Sequence, residues 1–129
     1  MVTTTGLHHI GVQCKNKEQT ILFYQKILGL DLVKSFFLDP EISYSIFNIL
    51  RNVEVLAFQN DAVYIEVFIG DGPYKPDYNH TCIVVENIKN FIAQCESFNV
   101  ESFSVKKGEK LLWFIKDFSG NLFEIKEER

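Results

Sequence analysis

Leu7-His8-His9-Ile10-Gly11-Val12 and Asn79-His80-Thr81-Cys82-Ile83-Val84-Val85 are two extended segments, each opened by a histidine. Each is followed far downstream by a segment closed by a glutamate. These are Val63-Tyr64-Ile65-Glu66-Val67-Phe68 for the first and Asn121-Leu122-Phe123-Glu124-Ile125 for the second. The spacing is that of a duplication. His9 and His80 stand 71 residues apart, as do Asn16 and Asn87, and Ile21 and Ile92. Glu66 and Glu124 stand 58 apart, which leaves 13 extra residues in the first copy, about the size of the stretch 39–51. Two copies are too few for a solenoid. They fit two modules that bury one another's open faces.

The punctuation around these segments gives each copy the order strand, helix, three strands. In the first copy, Asn16 with Gln19 reads as a capping box. Ile21, Leu22, Tyr24, Ile27 and Leu28 then recur at helical spacing, and Gly29 sits where a glycine ends helices. Leu30 to Leu38 reads as extended. Asp39-Pro40 predicts the cap and first residue of a short helix to about Ile49. Strands are expected at 53–58 and 62–69, with Gln59-Asn60-Asp61 as their turn. In the second copy Asn87 caps a helix carrying Ile88, Phe91, Ile92 and Cys95, with Asn99 as its terminator. Strands follow at 100–106, 111–116 and 122–127, separated by Gly108 and by Ser119-Gly120-Asn121. The expected architecture is α+β, a single domain over 1–129. Module one covers about 6–70, a linker about 70–77, and module two about 78–128.

Length and composition bound the function. A chain of 129 residues supports one domain with a real core. A net charge of −4 argues against a nucleic-acid partner, which needs a basic face. No apolar run approaches the roughly 18 residues of a membrane span. The start Met1-Val2-Thr3-Thr4-Thr5 lacks a signal peptide's charged and apolar regions. Cys14, Cys82 and Cys95 form an odd set without CxxC spacing, which reads as free thiols in a reducing cytoplasm.

Strand parity picks out the chemistry. Glu66 shares a face with Tyr64 and Phe68, and a free carboxylate on such a face costs several kcal/mol unless paired or coordinated. His80 shares a face with Cys82 and Val84, and Glu124 with Leu122 and Lys126. His8 falls on the face opposite His9. Taken alone, His9 reads as a hydrogen-bonded core or edge histidine and Glu124 as a solvated strand residue. The coincidence of all four at matching module positions points instead to His9, Glu66, His80 and Glu124 as ligands of one divalent transition ion. Tyr64, Phe68, Phe47 and Trp113 read first as ordinary core, with a pocket wall as the competing reading. Cys82 reads as an inert buried thiol.

Three stretches together resemble the vicinal oxygen chelate superfamily, which includes glyoxalase I, bleomycin-binding proteins and extradiol dioxygenases. They are His8-His9-Ile10-Gly11-Val12, the helix Ile21-Leu22-Phe23-Tyr24-Gln25-Lys26-Ile27-Leu28-Gly29-Leu30, and Phe114-Ile115-Lys116-Asp117-Phe118-Ser119-Gly120-Asn121-Leu122-Phe123-Glu124-Ile125. The resemblance implies paired βαβββ modules forming a cupped mixed sheet, a glyoxalase-like fold. It places the family's ligands on His9, Glu66, His80 and Glu124, a set similar to that of bacterial glyoxalase I. It implies a metal-dependent lyase or isomerase that stabilises an enediolate or enolate of a small α-oxygenated carbonyl substrate. Glu66 or Glu124 is the candidate base, and the ion is Ni, Zn, Mn, Fe or Co. A homodimer is implied, with the site built within one chain or across two. Two departures argue against glutathione as substrate. Gln13 stands where glyoxalase I carries an arginine, and the stretch Val67-Phe68-Ile69-Gly70-Asp71 after Glu66 lacks the family's glutathione-contacting asparagine. An Fe(II) dioxygenase, a resistance transferase or a non-catalytic binding protein on the same scaffold are the alternatives.

Overall fold

A computed structural model describes residues 5, 7–71 and 79–128. The contacts divide the chain into two compact units, Met1–Asp71 and Gly72–Arg129. Most of the expected linker lies outside the described residues.

Unit one contains β1 (Ile10–Cys14), α1 (Lys17–Ile21), β2 (Asp31–Leu38), α2 (Pro40–Phe47), β3 (Val53–Gln59) and β4 (Tyr64–Ile69). Its sheet order is β1-β4-β3-β2, with β1 parallel to β4 and the other neighbours antiparallel. Asn16 caps α1 as expected, its side chain accepting the Gln19 N–H at 2.9 Å. The helix does not continue as a regular α-helix. Over Leu22–Ile27 it widens into a π-helix, the Leu28 N–H reaching the Phe23 carbonyl at 3.0 Å. The wider turn puts the adjacent rings of Phe23 and Tyr24 in the core together, both fully buried. Tyr24 stacks on Phe58 of β3 at 5.3 Å, and burial of each such ring contributes roughly 2–3 kcal/mol. Gly29 then adopts φ +70°, the left-handed conformation that ends the helix at little cost.

The insertion is where the sequence places it. Asp39 caps α2 through the Ile42 N–H at 2.9 Å. The helix stops at Phe47, two residues short of the expected Ile49, because Asn48 turns left-handed at φ 61°. The β3–β4 turn also differs. Asn60 Oδ1 accepts from the N–H groups of both Ala62 and Val63, so β4 begins at Tyr64 and not at Ala62.

Unit two contains β5 (Thr81–Val85), α3 (Ile88–Ser97), β6 (Ser102–Lys107), β7 (Lys110–Lys116) and β8 (Leu122–Glu127). Its sheet order, β5-β8-β7-β6, repeats that of unit one, with the outer pair β5/β8 again parallel. Asn87 caps α3 through the Asn90 N–H at 2.9 Å. Ile92 and Cys95 of α3 are buried, as are Ile115, Phe123 and Ile125 of the sheet. The opposite face of this sheet is mixed, with Phe114 and Leu122 beside Glu124 and Lys116. The turn into β8 is held by a buried carboxylate. Asp117 accepts from the N–H groups of Ser119 and Asn121 and from the Asn121 side-chain amide, at 2.8–3.0 Å. Gly120 supplies the φ of +90° that this turn requires.

Candidate metal centre

The duplication reaches the level of atoms. In unit one, β1 and β4 lie in register with Gly11 opposite Glu66. In unit two, β5 and β8 lie in register with Cys82 opposite Glu124. Gly11 and Cys82 are themselves 71 residues apart. Each histidine stands two positions before that rung, just ahead of its strand. Each imidazole therefore meets the carboxylate of the neighbouring parallel strand. His9 Nε2 lies 3.3 Å from Glu66 Oε1, and His80 Nε2 lies 3.8 Å from Glu124 Oε1.

Both acids are mostly withdrawn from water, with 17% of the Glu66 side chain and 19% of the Glu124 side chain exposed. Their surroundings differ. Glu66 stands among Tyr64, Phe68 and, across the ladder, Ala57. Among the described residues its one ion-pair partner is His9. Glu124 has a second partner, Lys126 Nζ, at 3.4 Å from Oε2. A half-buried carboxylate facing only an imidazole is short of positive charge. Each pair offers one nitrogen and one carboxylate, donors that suit a borderline divalent cation. Among the described residues no group of three or more His, Cys, Asp or Glu stands together to hold an ion, so each pair supplies two ligands only.

His8 has more to do than its parity implies. Its Nδ1 lies 2.8 Å from His9 Nδ1, and its ring packs on Tyr64 at 5.3 Å. The imidazole of His9 is thus held at both nitrogens, by His8 on one side and Glu66 on the other. Gln13 is engaged by its own unit, its side-chain amide donating to the Gly70 carbonyl at 2.8 Å. Phe68 meets Phe47 of the insertion helix edge-on at 5.2 Å, which brings α2 onto the Glu66 face of unit one. Tyr64 and Phe68 are half-buried there, neither core nor free surface.

Trp113 takes the core reading over the pocket-wall one, and the expectation of a buried Cys82 is corrected. Trp113 pairs with Ile125, on the helix-facing side of the sheet, and it is Phe114 that stands opposite Glu124. Cys82 is exposed on β5, the outer strand of its sheet. Its thiol pKa is raised by partial desolvation and by the charge of Glu124, with Lys126 opposing.

The sequence model of the Glyoxalase/Bleomycin resistance protein/Dioxygenase superfamily matches residues 8–115. The chain belongs to this superfamily. Solved structures of the same fold include the genomically encoded fosfomycin resistance protein FosX of Listeria monocytogenes. Its hexagonal form is 18% identical, with a TM-score of 0.74 over 98% of this chain and 96% of that one. A glyoxalase family protein of Enterococcus faecalis is 24% identical, with a TM-score of 0.73 over 93% and 95%. A mutant of the Listeria protein, solved with Mn(II) and 1S,2S-dihydroxypropylphosphonic acid, is 21% identical, with a TM-score of 0.74 over 98% and 95%. No curated protein matches the chain significantly. The two four-stranded mixed sheets are the tandem α+β modules of the superfamily. Among the described residues no helix is long and apolar enough to cross a membrane.

Proposed function

We propose that the chain is a metal-dependent lyase or isomerase of the superfamily, acting on a small α-oxygenated carbonyl compound. In this reading the two units form one glyoxalase-like domain. His9, Glu66, His80 and Glu124 jointly hold one divalent ion, within one chain or across a homodimer. The observation that carries the reading is the repeated Nε2···Oε1 pair at equivalent positions of the two sheets. One pair alone is a common surface motif. Two at matched register form a set of two imidazoles and two carboxylates. The Mn(II) of the Listeria mutant complex supports a divalent ion on this fold.

A bound divalent ion supplies Lewis-acid stabilisation of negative charge on substrate oxygens. The chain's own groups do the rest. His9 and His80 are ligands held in orientation, His9 by His8 at its second nitrogen. The carboxylate of Glu66 or Glu124 takes the proton α to the carbonyl. Tyr64 and Phe68 keep water from the Glu66 face, where dryness strengthens every charge interaction. Gln13, spent on Gly70, leaves no cation for a glutathione carboxylate at that position, which favours a non-glutathione substrate.

Metal analysis of untagged protein tests this directly. The expected result is one equivalent of divalent ion per four-ligand set. Glu66→Gln is expected to lower metal affinity by about tenfold or more while the metal-free fold persists. Failure of the native protein to take up Ni(II), Zn(II), Mn(II) or Fe(II) would sink the proposal.

A further inference from the structure

The last ladders of the two sheets differ in a way that the duplication does not explain. In unit one the β3–β4 ladder runs from Gln59↔Tyr64 to Glu54↔Ile69, the last residue of β4. In unit two the β7–β8 ladder runs from Lys116↔Leu122 to Trp113↔Ile125 and stops, although β7 reaches back to Lys110 and β8 on to Glu127. The outer edges of both arms stay paired. β6 holds β7 through Val105↔Leu112, Lys106↔Leu111 and Lys107↔Lys110, and β5 holds β8 through Val84↔Lys126 and Val85↔Glu127. The result is a fixed fork, whose gap is an open groove of about 370 Å³ beginning beside Glu124. That volume is at the small end of ligand sites.

The lining has a definite chemistry. Ile88, Leu111, Leu112 and Ile125 give it apolar walls, and Lys110 and Lys126 stand on opposite arms. The two acids that also line it are engaged. Glu127 accepts the Ile88 N–H at 2.9 Å, and Glu124 faces His80 at 3.8 Å. Lys126 lies 3.4 Å from Glu124, and among the described residues Lys110 has no carboxylate within ion-pair distance. At about 3.3 Å per residue, Lys126 lies roughly 7 Å along the strand from Glu124, and the level of Lys110 about twice that.

We propose that this fork binds the anionic tail of the substrate, a carboxylate or phosphate joined by a short aliphatic chain to the reacting carbonyl. The apolar walls take the chain and the two lysines take the charge. The position of the reacting end at Glu124 rests on the function proposed above, whereas the anion site rests on the fork alone.

The test uses the full chain, with and without Mn(II), and adipate and inorganic phosphate as probes. Both probes are titrated while the backbone amide resonances of 110–112 and 125–127 are followed. Saturable shifts at these amides are expected in both metal states. Lys110→Gln and Lys126→Gln are each expected to weaken binding about fivefold, the scale of one exposed ion pair. Tighter binding of adipate assigns a carboxylate tail, and tighter binding of phosphate a phosphate tail. Absence of saturable shifts at the fork, or unchanged affinity in both lysine variants, overturns the proposal. Weakening in Lys126→Gln with none in Lys110→Gln also overturns it, because the effect then belongs to the Lys126–Glu124 pair. A chain that takes up no divalent ion but binds the probes at the fork refutes the lyase reading and leaves the fork standing.

Discussion

Glu66 is a carboxylate on a face that would hold a hydrophobe at lower cost. Its neighbours Tyr64, Phe68 and Ala57 offer no charge, and among the described residues its own charge is met only by the His9 imidazole at 3.3 Å. Replacing it with an apolar side chain removes a desolvation cost and loses one weak pair. Glu66→Leu is therefore expected to stabilise the metal-free protein by about 1–2 kcal/mol in urea unfolding while abolishing metal uptake. A loss of metal-free stability would mean that the carboxylate is structural. Parity made Glu66 legible in the sequence, since alternation fixes the face of every strand residue. It missed the role of His8, because His8 and His9 precede β1, where alternation no longer governs side-chain direction. It misjudged Cys82, since periodicity tells which face a residue takes but not whether that face is covered.

Within single elements, capping follows directly from local sequence. Asn16, Asp39 and Asn87 all accept the N–H three residues on, and Gly29, Gly108 and Gly120 all take positive φ. These are local interactions, closed within a few residues. The π-helical turn at Leu22–Ile27 was not legible, because it serves the burial of two adjacent rings, one of which stacks on β3, a distant strand. Helix α3 carries a pH-dependent element. Burial of Cys95, with the nearby Glu96 adding to it, pushes its thiol up to about 11 from 9.0. The folded state then holds the proton that the unfolded state releases, so stability is full below about pH 9 and falls as pH rises toward 11. This contribution is on the order of 2 kcal/mol. Comparison of unfolding free energies across pH 8–11 is expected to show a shallower decline for Cys95→Ala than for the native chain. Equal slopes would show that the thiol does not titrate differently in the two states.

For the whole molecule the question is whether the two His–Glu pairs serve one ion or two. A ligand at a hundred times its Kd stabilises the folded state by about 2.7 kcal/mol, a rise in Tm of roughly 10 °C for a chain of this size. If four side chains share one ion, His9→Ala and His80→Ala are each expected to abolish that rise almost completely. A half-sized rise in each variant, with half the metal bound, would show two independent sites and refute the shared centre.

The sequence by itself determined the duplication, the strand–helix–three-strand order of each copy, the place of the insertion, and which four residues recur at matching positions as candidate ligands. These follow from periodicity and capping, which act over a few residues, and from the 71- and 58-residue spacings. Only the tertiary structure decided that His9 meets Glu66 and His80 meets Glu124, that Phe114 and not Trp113 stands beside Glu124, and that the last ladder of unit two ends at Trp113↔Ile125. Those outcomes depend on the register between strands distant in the chain. Register is settled by the packing of whole faces, which no local pattern encodes.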